Sequence, residues 1–95
     1  MSDPSLVITL DIGGSAAKAY AFDVDGQRAF GQVSVSYPEL PAGADPGSFD
    51  PDEWWGAAQR ALALLVQKLD VPSSSYRAVT VSAIRIPFVL IDQEG

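Results

Sequence analysis

The chain has 95 residues and a formal charge of −6, with 12 acidic residues, 6 basic ones, no histidine and no cysteine. This is room for one domain at most, and the acidic balance would repel a phosphate backbone, which argues against nucleic acid as a partner. Without cysteine or histidine, disulfides, thiolate metal sites and ordinary zinc chemistry are excluded, and any metal is a hard, oxygen-bound ion such as magnesium. 

The N-terminus "MSDPSLVITLD" has no basic start and only a short apolar run. It fits neither a secretory signal nor a membrane span, so a cytoplasmic protein with no membrane partner is expected. Leu6 to Leu10 is the first predicted strand, and Ala17 to Val24 the second, closed by the hairpin dipeptide Asp25-Gly26. Arg28 to Tyr37 gives a third, so the first three strands read as an antiparallel meander. The stretch "SYPELPAGADPGSFDP", with four prolines, is a long loop.

A helix follows, with Asp50 as its cap, Pro51 at the first helical position and Glu53 where a capping-box acid reaches back. Trp54, Ala58, Ala61, Leu62, Leu65 and Leu69 share one side of a 3.6-residue wheel and form an apolar face. Each buried leucine contributes about 1.5–3 kcal/mol. "VPSSS" ends the helix, and "RAVTVSA" and "FVLIDQEG" read as two more strands divided at Pro87. The order predicts an α/β fold in which the helix crosses over to a parallel neighbour of the first strand. "LVITL" and "AVTVSAI" are apolar at nearly every position, as in strands covered on both faces, yet one helix covers only one face. The bare face calls for the remainder of a longer chain or for a second copy.

Between the first two strands, Asp11 is followed by Gly13, Gly14 and Ser15, with Lys18 three residues on. Two glycines in a sharp turn let backbone N–H groups point into one small space, which suits phosphate oxygens. Asp11 would repel a phosphate directly but can hold magnesium or its waters, while Ser15 offers a hydroxyl and Lys18 a point positive charge. The same residues also read as a plain glycine-rich hairpin turn whose aspartate accepts local hydrogen bonds. Asp23 and Asp25 read as hairpin-turn acids, Trp54 as core and Trp55 as its margin.

"LDIGGSAAKAYAFDVDGQ" resembles the first phosphate loop of the sugar kinase, actin and heat-shock chaperone superfamily, with its pattern D-x-G-[TS]-x-x-x-[KR]. "DPDEWWGAAQRAL" resembles the D-P-x-x-W-W helix start of the FGGY carbohydrate kinases, the family of xylulokinase, gluconokinase and glycerol kinase. "AVTVSAIRIPFVLIDQEG" sits where those kinases have a strand, an acceptor-binding turn and a further strand. The three stretches follow the family's order over nearly the whole chain.

The resemblance implies a partial ribonuclease-H-like (actin-like ATPase) fold, with residues 1–95 as the N-terminal part of the first kinase domain. It implies ATP and Mg2+ as cofactors, a sugar or polyol as substrate, and transfer of the γ-phosphoryl of ATP to a hydroxyl. Asp11 then helps to place magnesium, while Gly13, Gly14, Ser15 and Lys18 face the phosphates. The chain departs from the family at Gly14, where threonine is usual, and at Ile84, Ile86 and Pro87 of the acceptor turn; Arg85 matches a polyol-contacting arginine of the glycerol kinase branch. The family's general base lies later in the first domain and its adenosine pocket in the second, so no catalytic residue is expected within this segment, and the segment alone is expected to be inactive. A non-catalytic actin-like regulatory module, a ROK-type sugar kinase and a ribonuclease-H-like nuclease are the alternatives.

Overall fold

The computed structural model describes residues 3–39, 42–43, 45, 49–83 and 93. Its elements are β1 (Leu6–Ile12), β2 (Ala16–Asp23), β3 (Arg28–Ser36), α1 (Pro51–Leu69), a single 3-10 turn (Ser73–Ser75) and β4 (Tyr76–Ala83). They form one four-stranded sheet in the order β3-β2-β1-β4. β1, β2 and β3 are the antiparallel meander the sequence predicts, and β4 pairs with β1 in parallel, so α1 is the crossover. Arg85 and, apart from Gln93, the predicted fifth strand lie outside the described residues.

Strand ends differ from expectation in one place that bears on function. β1 continues through Asp11 to Ile12 and β2 starts at Ala16, two residues and one residue beyond the predicted limits. The cross-strand pairs Asp11↔Lys18 and Ile12↔Ala17 hold the two strands together to the rim, which shortens the connection to Gly13–Ser15. At the opposite end of β2 the left-handed residue of the turn is Gln27, with φ 50, rather than Gly26. Asp23 is buried as the last residue of β2, with Arg28 Nε 3.6 Å from its Oδ2, so of the two expected turn acids only Asp25 is solvated.

Alternation along the strands divides the sheet into two faces. Ile8, Leu10, Ala17, Ala19 and Ala21 are buried toward α1, which answers with Ala57, Ala58, Ala61 and Leu65. This interface is built mostly of alanine, so helix and sheet approach closely; at Gly31 of β3 a Cβ would stand 2.9 Å from Leu69 Cδ2. Among the described residues the largest side chains under 2 % exposed are Leu6, Ile8 and Leu65. The helix starts as predicted at Asp50, whose Oδ1 accepts from the Asp52 N–H at 2.9 Å, followed by Pro51. Glu53 is exposed, and the Asp50 carboxylate alone makes the cap. The helix closes on Asp70 in the left-handed region at φ 48.

Among the described residues no helix lies over the other face. Register aligns Val7 with Phe22, Thr9 with Tyr20 and with Thr80, and Asp11 with Lys18 and with Ser82. Phe22 is 44 % exposed there. α1 lies over β2 and β3 far more than over β1, and Val79 and Val81 of β4 are 55 % and 64 % exposed. Among the described residues the bareness expected from the doubly apolar strands is therefore present, and it extends to β4.

Candidate functional site

The site is built at the rim where β1 ends. Across the uncovered face, register sets Ser34, Lys18, Asp11 and Ser82 side by side on four neighbouring strands. The next row inward is Gln32, Tyr20, Thr9 and Thr80, where Thr80 Oγ1 donates to Thr9 Oγ1 at 3.2 Å. One row further in stand Phe22, Val7 and Ala78. Polarity thus rises toward the ends of the parallel pair β1 and β4, where open α/β sheets gather ligands. Asp11 is half-buried and Lys18 exposed, so the carboxylate is fixed by its strand while the ammonium is free to swing.

The Gly13–Ser15 connection stands directly above this row. The Gly13 N–H donates to the Ala16 carbonyl at 3.1 Å, which closes the turn. A Cβ at Gly13 would lie 3.3 Å from the same oxygen, so a larger residue there would press on the closure. Among the described residues no acceptor takes the N–H of Gly14 or of Ser15, and both residues are exposed. The amides open to a ligand are thus those of Gly14 and Ser15, and not that of Gly13.

A residue the sequence offered only as a strand end completes the site. Tyr37, just past β3, donates its hydroxyl to the Gly13 carbonyl at 2.8 Å, and its N–H to the Ser15 carbonyl at 3.3 Å. Its ring stacks on Trp54 with centroids 4.4 Å apart and an interplanar angle of 8°, and Phe49 lies 4.4 Å from Trp54 on a 32° tilt. Trp54, expected in the core, is half-buried in this aromatic stack, whereas Trp55 is 58 % exposed. The contact spans 24 positions in sequence, and no local pattern announces it.

Partial burial, and then the charge of Asp11, hold the Tyr37 phenol above its ordinary value of 10.0. The folded chain therefore keeps this proton to higher pH than the unfolded chain does. The stabilising O–H···O=C bond is complete below about pH 10 and is lost as pH rises through the raised pKa, because a phenolate cannot donate. In an absorbance titration, Asp11→Asn is expected to move the Tyr37 transition to lower pH while leaving it above the ordinary value, since burial is the larger cause. An unmoved or upward-moving transition would contradict that arrangement.

Two further properties narrow the chemistry. Among the described residues no three acidic side chains gather around a common point. Among them, too, no helix is long and apolar enough to cross a membrane.

Comparison with known proteins agrees with this fold. Residues 6–95 match the FGGY family of carbohydrate kinases, N-terminal domain. Among solved structures, gluconate kinase and ligand-bound xylulose kinase, both from Lactobacillus acidophilus, superpose with a TM-score of 0.66 at 28% identity. Each alignment covers 82% of this chain, and the chain spans 15% of the length of either kinase. No curated protein sequence matches. With residues 6–95 of the chain matched by the family's N-terminal domain, and with the mixed sheet and crossover helix of that actin-like fold, the chain belongs to the FGGY family of carbohydrate kinases.

Proposed function

We propose that this chain is the N-terminal part of the first domain of an ATP-dependent sugar or polyol kinase, and that it supplies one side of the cradle for the ATP phosphates. The observation that carries the reading is the rim itself. Asp11 and Lys18 stand opposite each other beneath a turn whose Gly14 and Ser15 amides have no acceptor among the described residues. Magnesium fits this donor set in one way: a half-buried carboxylate that belongs to no three-acid cluster among the described residues suits an ion that keeps most of its waters, and Asp11 would hold it through them. The chemistry such an ion would supply, held by Asp11 through its waters, is neutralisation of charge on the phosphates. The Gly14 and Ser15 N–H groups and the Ser15 hydroxyl orient phosphate oxygens, and Lys18 reaches them as a mobile point charge. Arg85, outside the described residues, is assigned to the acceptor hydroxyls. The general base and the adenosine pocket belong to the remainder of the kinase, which also covers the bare sheet face. The cytoplasm is the compartment this chemistry suits.

The test is phosphoryl transfer. The full-length enzyme is expected to phosphorylate at least one member of a panel of pentoses, gluconate and glycerol with ATP and magnesium. The 95-residue chain alone is expected to give no turnover. A full-length enzyme inactive on every sugar and polyol, or turnover by the short chain that Asp11→Ala abolishes, would overturn the reading.

A further inference from the structure

We propose that Tyr37 is a positioning residue that aims the Gly14 amide at the bound phosphate, with Trp54 as the platform that holds Tyr37 in place. The inference rests on the phosphate-cradle reading above and adds to it a brace from the opposite side of the sheet. Of the three carbonyls in the Gly13–Ser15 turn, two accept hydrogen bonds from this one residue: Gly13 from the hydroxyl at 2.8 Å and Ser15 from the backbone N–H at 3.3 Å. A trans peptide is planar, so the C=O of one residue and the N–H of the next point in opposite directions. Fixing the Gly13 carbonyl toward Tyr37 therefore turns the Gly14 N–H away from Tyr37, toward open solvent. Fixing the Ser15 carbonyl locks the next-but-one peptide plane. Gly14 lies between the two fixed planes, and a residue without Cβ would otherwise sample both signs of φ.

The brace is itself held from the helix. Tyr37 is half-buried and lies flat against Trp54, in the first turn of α1, where the Asp50 cap fixes the start of the helix. Stacking of this kind contributes beyond plain burial of area. Phe49, one residue before the cap, lies against the same indole. The aromatic pair at the helix start thus has unequal duties: Trp54 transmits the position of α1 to the turn, while Trp55 is exposed and free of it.

The test compares Tyr37→Phe, Trp54→Ala, Trp54→Phe and wild type by NMR in the full-length enzyme, with Mg2+·ATP and inorganic tripolyphosphate as probes. Removing one hydroxyl leaves the core intact, so the methyl signals of Ile8, Leu10 and Leu65 report that Tyr37→Phe is folded. Without ligand, Tyr37→Phe is expected to raise the fast motion of the Gly14 and Ser15 amides; with ligand, to weaken their saturable shifts by about 3- to 10-fold in affinity. Trp54→Ala should loosen the turn similarly, and Trp54→Phe should retain most of the wild-type order. Unchanged amide order in folded Tyr37→Phe overturns the proposal, as does unchanged affinity. If wild type shows no saturable shift with either probe, the phosphate reading fails on its own, and the ligand-free amide motion still decides whether Tyr37 orders the turn.

Discussion

Leu65→Ala is expected to lower the thermal midpoint by roughly 10–30 °C, the largest loss of stability available from one substitution in the helix. Leu65 is 0 % exposed, and it is the only large side chain that α1 buries completely among the described residues. The other fully buried helix positions, Ala57, Ala58 and Ala61, are already alanine. The close approach that alanine permits leaves nothing nearby to collapse into a vacated volume. Leu→Ala in such a site costs about 2–5 kcal/mol, of the order of the whole stability of a small domain, which starts near 5 kcal/mol. Leu64→Ala is the control: Leu64 is 42 % exposed, and truncation there should change stability by less than about 1 kcal/mol. Circular dichroism melts of the three proteins suffice. A Leu65→Ala shift no larger than that of Leu64→Ala would mean that the helix does not pack on the sheet through this face.

The same interface explains why much of the fold was legible in the sequence. Strand order, the crossover and the helical face follow from local periodicity, cap chemistry and the right-handed connection, all of which are written in consecutive residues. Ala57 escaped the predicted face because alanine is a weak signal on a helical wheel, yet it is 5 % exposed. The strand ends at the rim were short by one or two residues because Asp11 was read as a terminator, whereas pairing with Lys18 carries the ladder past it.

The candidate site divides in the same way. Asp11, the two glycines, Ser15 and Lys18 are near neighbours in sequence, and their type and spacing carry a chemical meaning before any fold is known. Tyr37 could not be found so, because its role is set by a hydrogen bond to Gly13 and a ring stack on Trp54, contacts made only after three elements have assembled. The expectation that Gly13 itself offers its amide was local reasoning carried one residue too far: the two-strand ladder reaches the rim and takes that N–H for the Ala16 carbonyl. Loop chemistry was legible; which amide stays free depends on register.

In the full-length enzyme, Asp11→Asn is expected to lower kcat/KM for Mg2+·ATP by roughly 10- to 100-fold with little change in stability, the range typical for residues that hold a metal through its waters. The substitution keeps the shape and one acceptor oxygen but removes the charge. Structurally the change is mild, because Asp11 is half-buried at the rim and its cross-strand pairing with Lys18 is worth at most about 1 kcal/mol. A large loss of activity with a nearly unchanged melting temperature therefore separates a role in placing the ion from a role in the sheet. Magnesium dependence separates it further: if the carboxylate recruits the hydrated ion, a tenfold increase in free Mg2+ should restore part of the Asp11→Asn rate and leave the saturated wild type unaffected. Lys18→Met is the counterpart, since a lysine that touches phosphate and not the ion should raise KM for ATP with no recovery at high Mg2+. The two variants then fail differently, which a generic disturbance of the β1–β2 rim cannot produce, because removing either side of one cross-strand pair disturbs that rim alike. Equal losses with the same Mg2+ profile, or full activity in Asp11→Asn, would remove the carboxylate from the chemistry and leave it a rim residue of the sheet.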